Sequence, residues 1–320
     1  MFTSIIHNSD DNQLKEIYLK YHRTLICRDR KYLGIYDKSD YIPTKTEYIE
    51  FYINVYDLSL LPSGLLYLET KKPFTSKLDS LPVNLECLKL GYGYENPLNN
   101  LPKRLKYLDI FNNGEQDLIN LPDELMVLKI GSYNGRIDKF PPSLKYLEII
   151  NKFNKSIELL NNNITYLCLG NDFNQDIHHL PNNLKYLKFG KNFNKKIYNY
   201  PEGLKSVEFG ENYNQELFSL PYTLETISFG KSFNKSIDNL PNFVKLINIG
   251  FIMLECENTL SNLLIIDKKI IKYNKGYYLF TGSEFNQKIT KLPITLEKLM
   301  INRNYPYIDL LDKEKIILSV

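Results

Sequence analysis

Prolines recur along this chain every nineteen or twenty residues, at Pro43, Pro62, Pro82, Pro102, Pro122, Pro141, Pro181, Pro201, Pro221 and Pro241, with one double step in which Asn161 takes the vacant place. Pro293 resumes the pattern fifty-two residues after Pro241, twelve more than two repeats. Around these prolines the unit reads L-P-x-x-L-x-x-L-x-[FLI]-G-x-x-[FY]-N-x-x-I, and eight of the fifteen glycines share its single Gly column. A unit of twenty residues cannot bury its own apolar face. Units must therefore stack as coils, each closing the core of its neighbour.

Inside each unit the stretch around L-x-x-L-x-F, such as Leu184 to Phe189, alternates apolar and polar residues as a short half-buried strand does. Equivalent strands one coil apart then run parallel, about 4.8 Å from each other. The glycine after the strand suits a tight bend or a positive φ, and the proline fixes φ on the return side where no ladder donor is lost. The period leaves no room for a long helix, so the return is expected to be extended or a tight turn. The recurring Asn of Asn154, Asn174, Asn194, Asn214 and Asn234 is expected to be buried and structural, bonding the turn backbone of the next coil.

If the second Leu of each unit points inward, the residues flanking it form two outward columns. The first contains Tyr67, Tyr107, Tyr146, Tyr166 and Tyr186, and the second contains Lys188 and Glu208 and alternates in sign from Glu69 through Lys89, Asp109 and Lys129 to Glu148. Such columns stabilise adjacent strands. Tyrosines with an apolar body and a polar tip also make a recognition strip, so these seven residues are the expected protein-binding face.

Composition narrows the chemistry. Forty Lys and Arg against thirty-seven Asp and Glu leave a net charge of +3, which makes nucleic acid an unlikely partner. Cys27, Cys87, Cys168 and Cys256 lie far apart with no C-x-x-C, as expected for reduced thiols in the cytoplasm rather than a metal site. No apolar run is long enough to cross a membrane. The four histidines have no recurring nucleophile or acid beside them, and lysines one coil away are expected to lower the pKa values of the column carboxylates, so no catalytic residues and no cofactors are assigned. The expectation is a non-enzymatic scaffold. Its alternative is a module binding sugar or single-stranded nucleic acid on stacked tyrosines.

The segments FNKSI at Phe153, FNQDI at Phe173, FNKKI at Phe193 and FNKSI at Phe233, with the L-P and L-x-x-L-x-F-G around them, closely resemble the FNIP repeat, a relative of the leucine-rich repeats found in social amoebae and giant viruses of amoebae. The resemblance implies a leucine-rich-repeat-like solenoid with parallel strands on one face. It also implies an adaptor for proteins of the host cell, cytoplasmic in that host if the chain is viral, and through the F-box such proteins often carry, host ubiquitin machinery as partner. Residues 1–29 give one amphipathic helix, with Ser9 or Asp10 as N-cap and Leu14, Ile17, Tyr18, Tyr21 and Leu25 on one side, not the three helices of an F-box. They are expected to cap the first coil. Residues 30–301 are expected to form the solenoid, with an irregular coil at 251–276, and residues 302–320 to cover its other end.

Overall fold

The structure is a computed structural model, and it describes residues 32–35, 42–52, 58–74, 77–91, 93–98, 100–111, 117–135, 137, 139–254, 270–273 and 276–318. The expected N-terminal helical cap over 1–29 lies outside these residues. The chain divides into two compact units. One runs to Lys155 and takes in Leu159–Tyr166; the other contains Ser156–Glu158 and continues from Leu167.

In the first unit, β1 (Tyr32–Ile35), β2 (Tyr48–Phe51), β3 (Tyr67–Thr70), β4 (Cys87–Leu90), β5 (Tyr107–Ile110), β6 (Val127–Ser132) and β7 (Tyr146–Asn151) pair in chain order. All are parallel and one repeat apart in register, with Leu68, Leu88, Leu108, Leu128 and Leu147 opposite one another. These leucines are buried, as are Leu65, Leu85, Leu105, Leu125 and Leu144 at the start of each strand region. The second leucine of each pair lies in the strand and the first in the turn before it, three residues earlier.

Each proline opens a turn. The backbone N–H of Leu65, Leu85, Leu105 and Leu125 donates to the carbonyl of Pro62, Pro82, Pro102 and Pro122 at 3.0–3.1 Å, so the ring occupies a position whose missing N–H is not needed. Asn161 keeps the turn without the ring: Ile164 N–H donates to its carbonyl at 3.4 Å, while its Nδ2 donates to Pro141 O of the preceding coil at 2.7 Å.

The second unit continues with β8 (Tyr166–Leu169, its first residue belonging to the first unit), β9 (Tyr186–Phe189), β10 (Ser206–Glu208), β11 (Thr226–Phe229) and β12 (Leu246–Ile249). Its core is two aromatic columns. Phe189, Phe209 and Phe229 follow one another at 5.8 and 5.7 Å, and Phe173, Phe193, Tyr213 and Phe233 at 5.8, 6.0 and 6.2 Å. Within a coil the two columns touch at 3.8 Å in nearly parallel pairs. The aromatic of the F-N pair is thus core, and the Asn beside it faces the surface.

The Asn expectation is corrected on one point. Asn154 and Asn194 are exposed and Asn174, Asn214 and Asn234 half-exposed, none of them buried. Their bonding is nevertheless regular: the backbone N–H of Asn194, Asn214 and Asn234 donates to Oδ1 of Asn174, Asn194 and Asn214, each at 2.9 Å. A short polar side chain next to a turn reaches the following coil without being buried.

The glycine column also has a different cause from the one expected. Among the described glycines of the column, Gly250 and Gly282 have positive φ, at 84° and 108°, whereas a Cβ on Gly210 would lie 1.9 Å from the carbonyl oxygen of Gly190. Coils approach too closely there for any side chain.

After β12 the chain leaves the stack. β13 (Phe251–Leu254), β14 (Ile270–Tyr273) and β15 (Gly276–Phe280) form a separate antiparallel sheet in the order β13-β15-β14, in place of the irregular coil expected at 251–276. The excursion closes where Thr281 N–H donates to Gly250 O at 2.8 Å. β16 (Lys298–Ile301) then pairs with β12 as though nothing intervened. Every column reconnects across the gap: Phe285 stacks on Phe233 at 6.1 Å, and Asn286 N–H donates to Asn234 Oδ1 at 3.0 Å. Asp238 accepts from the backbone of Thr290 and Lys291 at 2.8 and 3.1 Å. Burial alone would raise its pKa, but these bonds and that from the Thr290 hydroxyl outweigh it and hold the carboxyl below its ordinary value.

At the C-terminal end, Tyr305 stacks on Phe285 at 5.7 Å and its hydroxyl donates to Gln287 O at 2.8 Å. A single 3-10 turn (Ile308–Leu310) leads into β17 (Ile316–Leu318), which pairs with β16.

Candidate protein-binding face

In the first unit the two outward columns share a face, as their i, i+2 spacing requires. The Tyr146 hydroxyl donates to Glu148 Oε2 at 2.9 Å, and the Tyr67 hydroxyl donates to Glu69. Lys89 Nζ sits 5.3 Å from the Tyr67 ring centre and 5.4 Å from that of Tyr107, 4.0 Å from Glu69, so its charge lies between ring faces and a carboxylate. Tyr146 and Tyr166 stack at 4.5 Å.

The expectation of an exposed tyrosine strip is overturned here. Tyr67, Tyr107 and Tyr146 are 0% exposed and Tyr166 is 2% exposed. Burial also reverses the expected pKa effect at Asp109: loss of solvation raises its carboxyl above the ordinary value although Lys129 and Lys89 oppose it.

Lys129 Nζ lies 3.6 Å from Glu148 and 5.5 Å from the Tyr146 ring centre. Lys129→Glu is expected to destabilise the protein by about 1–2 kcal/mol, since it sets three carboxylates side by side in a half-buried ladder. A urea titration at low salt reads the loss, and an unchanged midpoint would mean the charged column is not coupled.

In the second unit the face is different. Tyr186 and Lys188 are half-exposed, as are Ser206, Thr226 and Leu246 in the first column, while Glu208 is buried and paired with Lys188 at 3.1 Å. The turns that lead into these strands carry three large apolar side chains in the open: Tyr222 at 75%, Phe243 at 58% and Ile294 at 78% exposure. The strands after them are neighbours in the order β11, β12, β16, and Thr295 N–H bonds Asn242 O at 3.2 Å, so the three turns lie side by side.

Sequence reasoning missed this row. Its signal was present: the places after Pro181 and Pro201 hold Asn182 and Glu202, whereas Pro221 and Pro293 are followed by Tyr222 and Ile294.

Among the described residues no group of three or more His, Cys, Asp or Glu is placed to hold a metal ion. His178 and His179 are exposed, and Cys87 and Cys168 are buried and form no disulfide. Among the described residues no helix is long and apolar enough to cross a membrane.

No curated protein matches the chain. The FNIP Repeat family model matches residues 153–192, 177–200 and 193–232. Solved structures similar in fold include the following two. CroV588, described as a novel circular LRR protein, is 25% identical with a TM-score of 0.56, over 90% of this chain and 52% of that one. YopM from Yersinia enterocolitica WA-314 is 21% identical with a TM-score of 0.58, over 84% of this chain and 52% of that one. The chain thus spans about half the length of either. The matched stretch is the one in which the paired aromatic columns and the Asn ladder run without interruption. Residues 153–232 thus match the FNIP repeat model, and they are set in a parallel β-solenoid similar in fold to leucine-rich-repeat proteins.

Proposed function

We propose that this protein is a non-enzymatic scaffold that binds other proteins, acting as an adaptor, and that the turn edge of the second unit is its contact surface. One observation carries the reading: Tyr222, Phe243 and Ile294 stand exposed on three adjacent turns. Exposed apolar side chains scattered singly need no explanation, but large ones on three neighbouring turns are characteristic of an interaction site. Half-exposed Tyr186 and Lys188 extend the strand face of the same unit. Aromatic anchors ringed by polar groups are the usual make-up of an interface centre, and here the Lys245–Glu225 pair at 3.0 Å flanks the row. A sugar or single-stranded nucleic acid would need open ring faces for stacking, and the rings of Tyr67, Tyr107, Tyr146 and Tyr166 are buried.

The test is affinity capture from the source cell with the native chain and with a Tyr222→Ser/Phe243→Ser/Ile294→Ser variant. The three side chains are largely solvated, so each replacement is expected to change stability by no more than about 0.5 kcal/mol. The native chain is expected to retain a protein that the folded variant loses. Equal capture by both would refute the assignment.

A further inference from the structure

The charged column of the outward face changes character between the two units. In the first unit each of its carboxylates has a lysine on both sides or a tyrosine hydroxyl close by. Asp109 stands in register between Lys89 and Lys129, while Glu50, Glu69 and Glu148 accept from the hydroxyls of Tyr52, Tyr67 and Tyr146, each two residues away. Glu208 of the second unit has Lys188 on one side, at 3.1 Å. On its other side Ser228 stands where a lysine would continue the alternation, and Ser206 stands two residues before it in place of a tyrosine.

Burial makes this shortage costly. Glu208, Ser228 and Asn248 are in register on β10, β11 and β12, and they are 8%, 5% and 2% exposed. Lys188 pairs with Glu208 Oε1, and Asn248 Nδ2 donates to Phe251 O at 3.1 Å. Glu208 Oε2 and Asn248 Oδ1 are enclosed and, among the described residues, accept no hydrogen bond. The Ser228 hydroxyl between them has a single proton to give, so it cannot serve both. An enclosed carboxylate oxygen left without a partner costs more than an ordinary hydrogen bond contributes.

We propose that the row Glu208, Ser228 and Asn248 binds a monovalent metal cation, sodium or potassium, which stands in for the lysine that the column lacks at Ser228. The row offers a carboxylate oxygen, a hydroxyl and an amide carbonyl. Oxygen donors without nitrogen or sulfur select hard cations. Calcium cages draw on several carboxylates and magnesium keeps several waters, whereas this row is enclosed and holds one carboxylate, already shared with Lys188. A single positive charge fits that balance. Strand neighbours stand about 4.8 Å apart, and an ion about 2.4 Å from each of two oxygens spans that step. The row also lies where the chain leaves the stack, since Asn248 holds the carbonyl of Phe251, the first residue of β13. The bound ion thereby braces the root of the excursion.

The test is thermal unfolding of the full chain, followed by circular dichroism, in sodium, potassium and tetramethylammonium chloride at equal ionic strength. Tetramethylammonium is too large for the row. The midpoint is expected to be higher in sodium or potassium than in tetramethylammonium by at least about 2 °C, saturating with concentration, and the salt with the larger shift identifies the ion. Ser228→Lys puts the charge in covalently, so its midpoint is expected to be the same in all three salts. Equal midpoints of the native chain in the three salts would overturn the proposal, as would a difference that persists at native size in Ser228→Lys. Should that variant fail to fold, Glu208→Gln, which keeps the shape and removes the charge, takes its place: loss of the difference between salts is expected, and a difference of native size would overturn the proposal. No partner protein enters these measurements, so their outcome is separate from that of the binding-edge test.

Discussion

Phe193→Ala is expected to lower the unfolding free energy by about 3–5 kcal/mol, the range for removing a fully enclosed phenylalanine. Phe193 is 0% exposed and touches rings on three sides: Phe173 at 5.8 Å, Tyr213 at 6.0 Å and Phe189 at 3.8 Å. The column cannot collapse into the gap, because the spacing of its members is set by the backbone ladder and by the Asn bonds at 2.9 Å on either side. Phe193→Leu, which refills part of the space, should recover about half of the loss. Chemical denaturation followed by circular dichroism reads both. A loss below about 1 kcal/mol would mean that the aromatic columns are not the core of the second unit.

The second large effect comes from the smallest side chain. Gly210→Ala is expected to destabilise by about 3 kcal/mol, as overpacking against backbone does when nothing flexible can yield. The added methyl would meet the Gly190 carbonyl oxygen at 1.9 Å and its carbon at 2.4 Å. Gly203→Ala is the matched control, with nothing within 4 Å of the new Cβ and no positive φ. It should be neutral or stabilise by up to about 1 kcal/mol through the unfolded chain. Equal effects at the two sites would show that the close approach of the coils at Gly210 was misjudged.

These two residues also mark how much the sequence discloses. A period of twenty with one Pro and one Gly per unit determines stacked parallel strands, because no other arrangement buries L-x-x-L-x-F in every coil. The column register followed from the same count, down to Tyr146 beside Glu148. What periodicity cannot carry is the physical cause at each position. Glycine tolerates both positive φ and close backbone approach, and the sequence looks the same for either; Gly210 needs the second and Gly250 has a φ of 84°. An Asn that recurs in every coil may be inside or outside as far as spacing is concerned, and it is its neighbour, Phe193 or Tyr213, that fills the core.

Exposure was the least legible property. Alternation says which side of a sheet a residue faces, but Tyr107 at 0% and half-exposed Tyr186 have the same local pattern. The twelve surplus residues between Pro241 and Pro293 likewise announced a departure from the stack, while the antiparallel pairing of Met253 with Tyr278 arises from tertiary context the repeat does not encode. The binding edge at Tyr222, Phe243 and Ile294 was readable in principle, as the places where a polar position of the repeat turns apolar.

Hydrogen–deuterium exchange of the native chain, alone and with the protein it captures, tests the proposed scaffold role most directly. The account predicts slowed exchange concentrated in the turns 221–224, 241–244 and 293–296, with the buried tyrosine strands of the first unit unchanged. Protection confined to other coils, with these three turns exchanging as in the free chain, would contradict it.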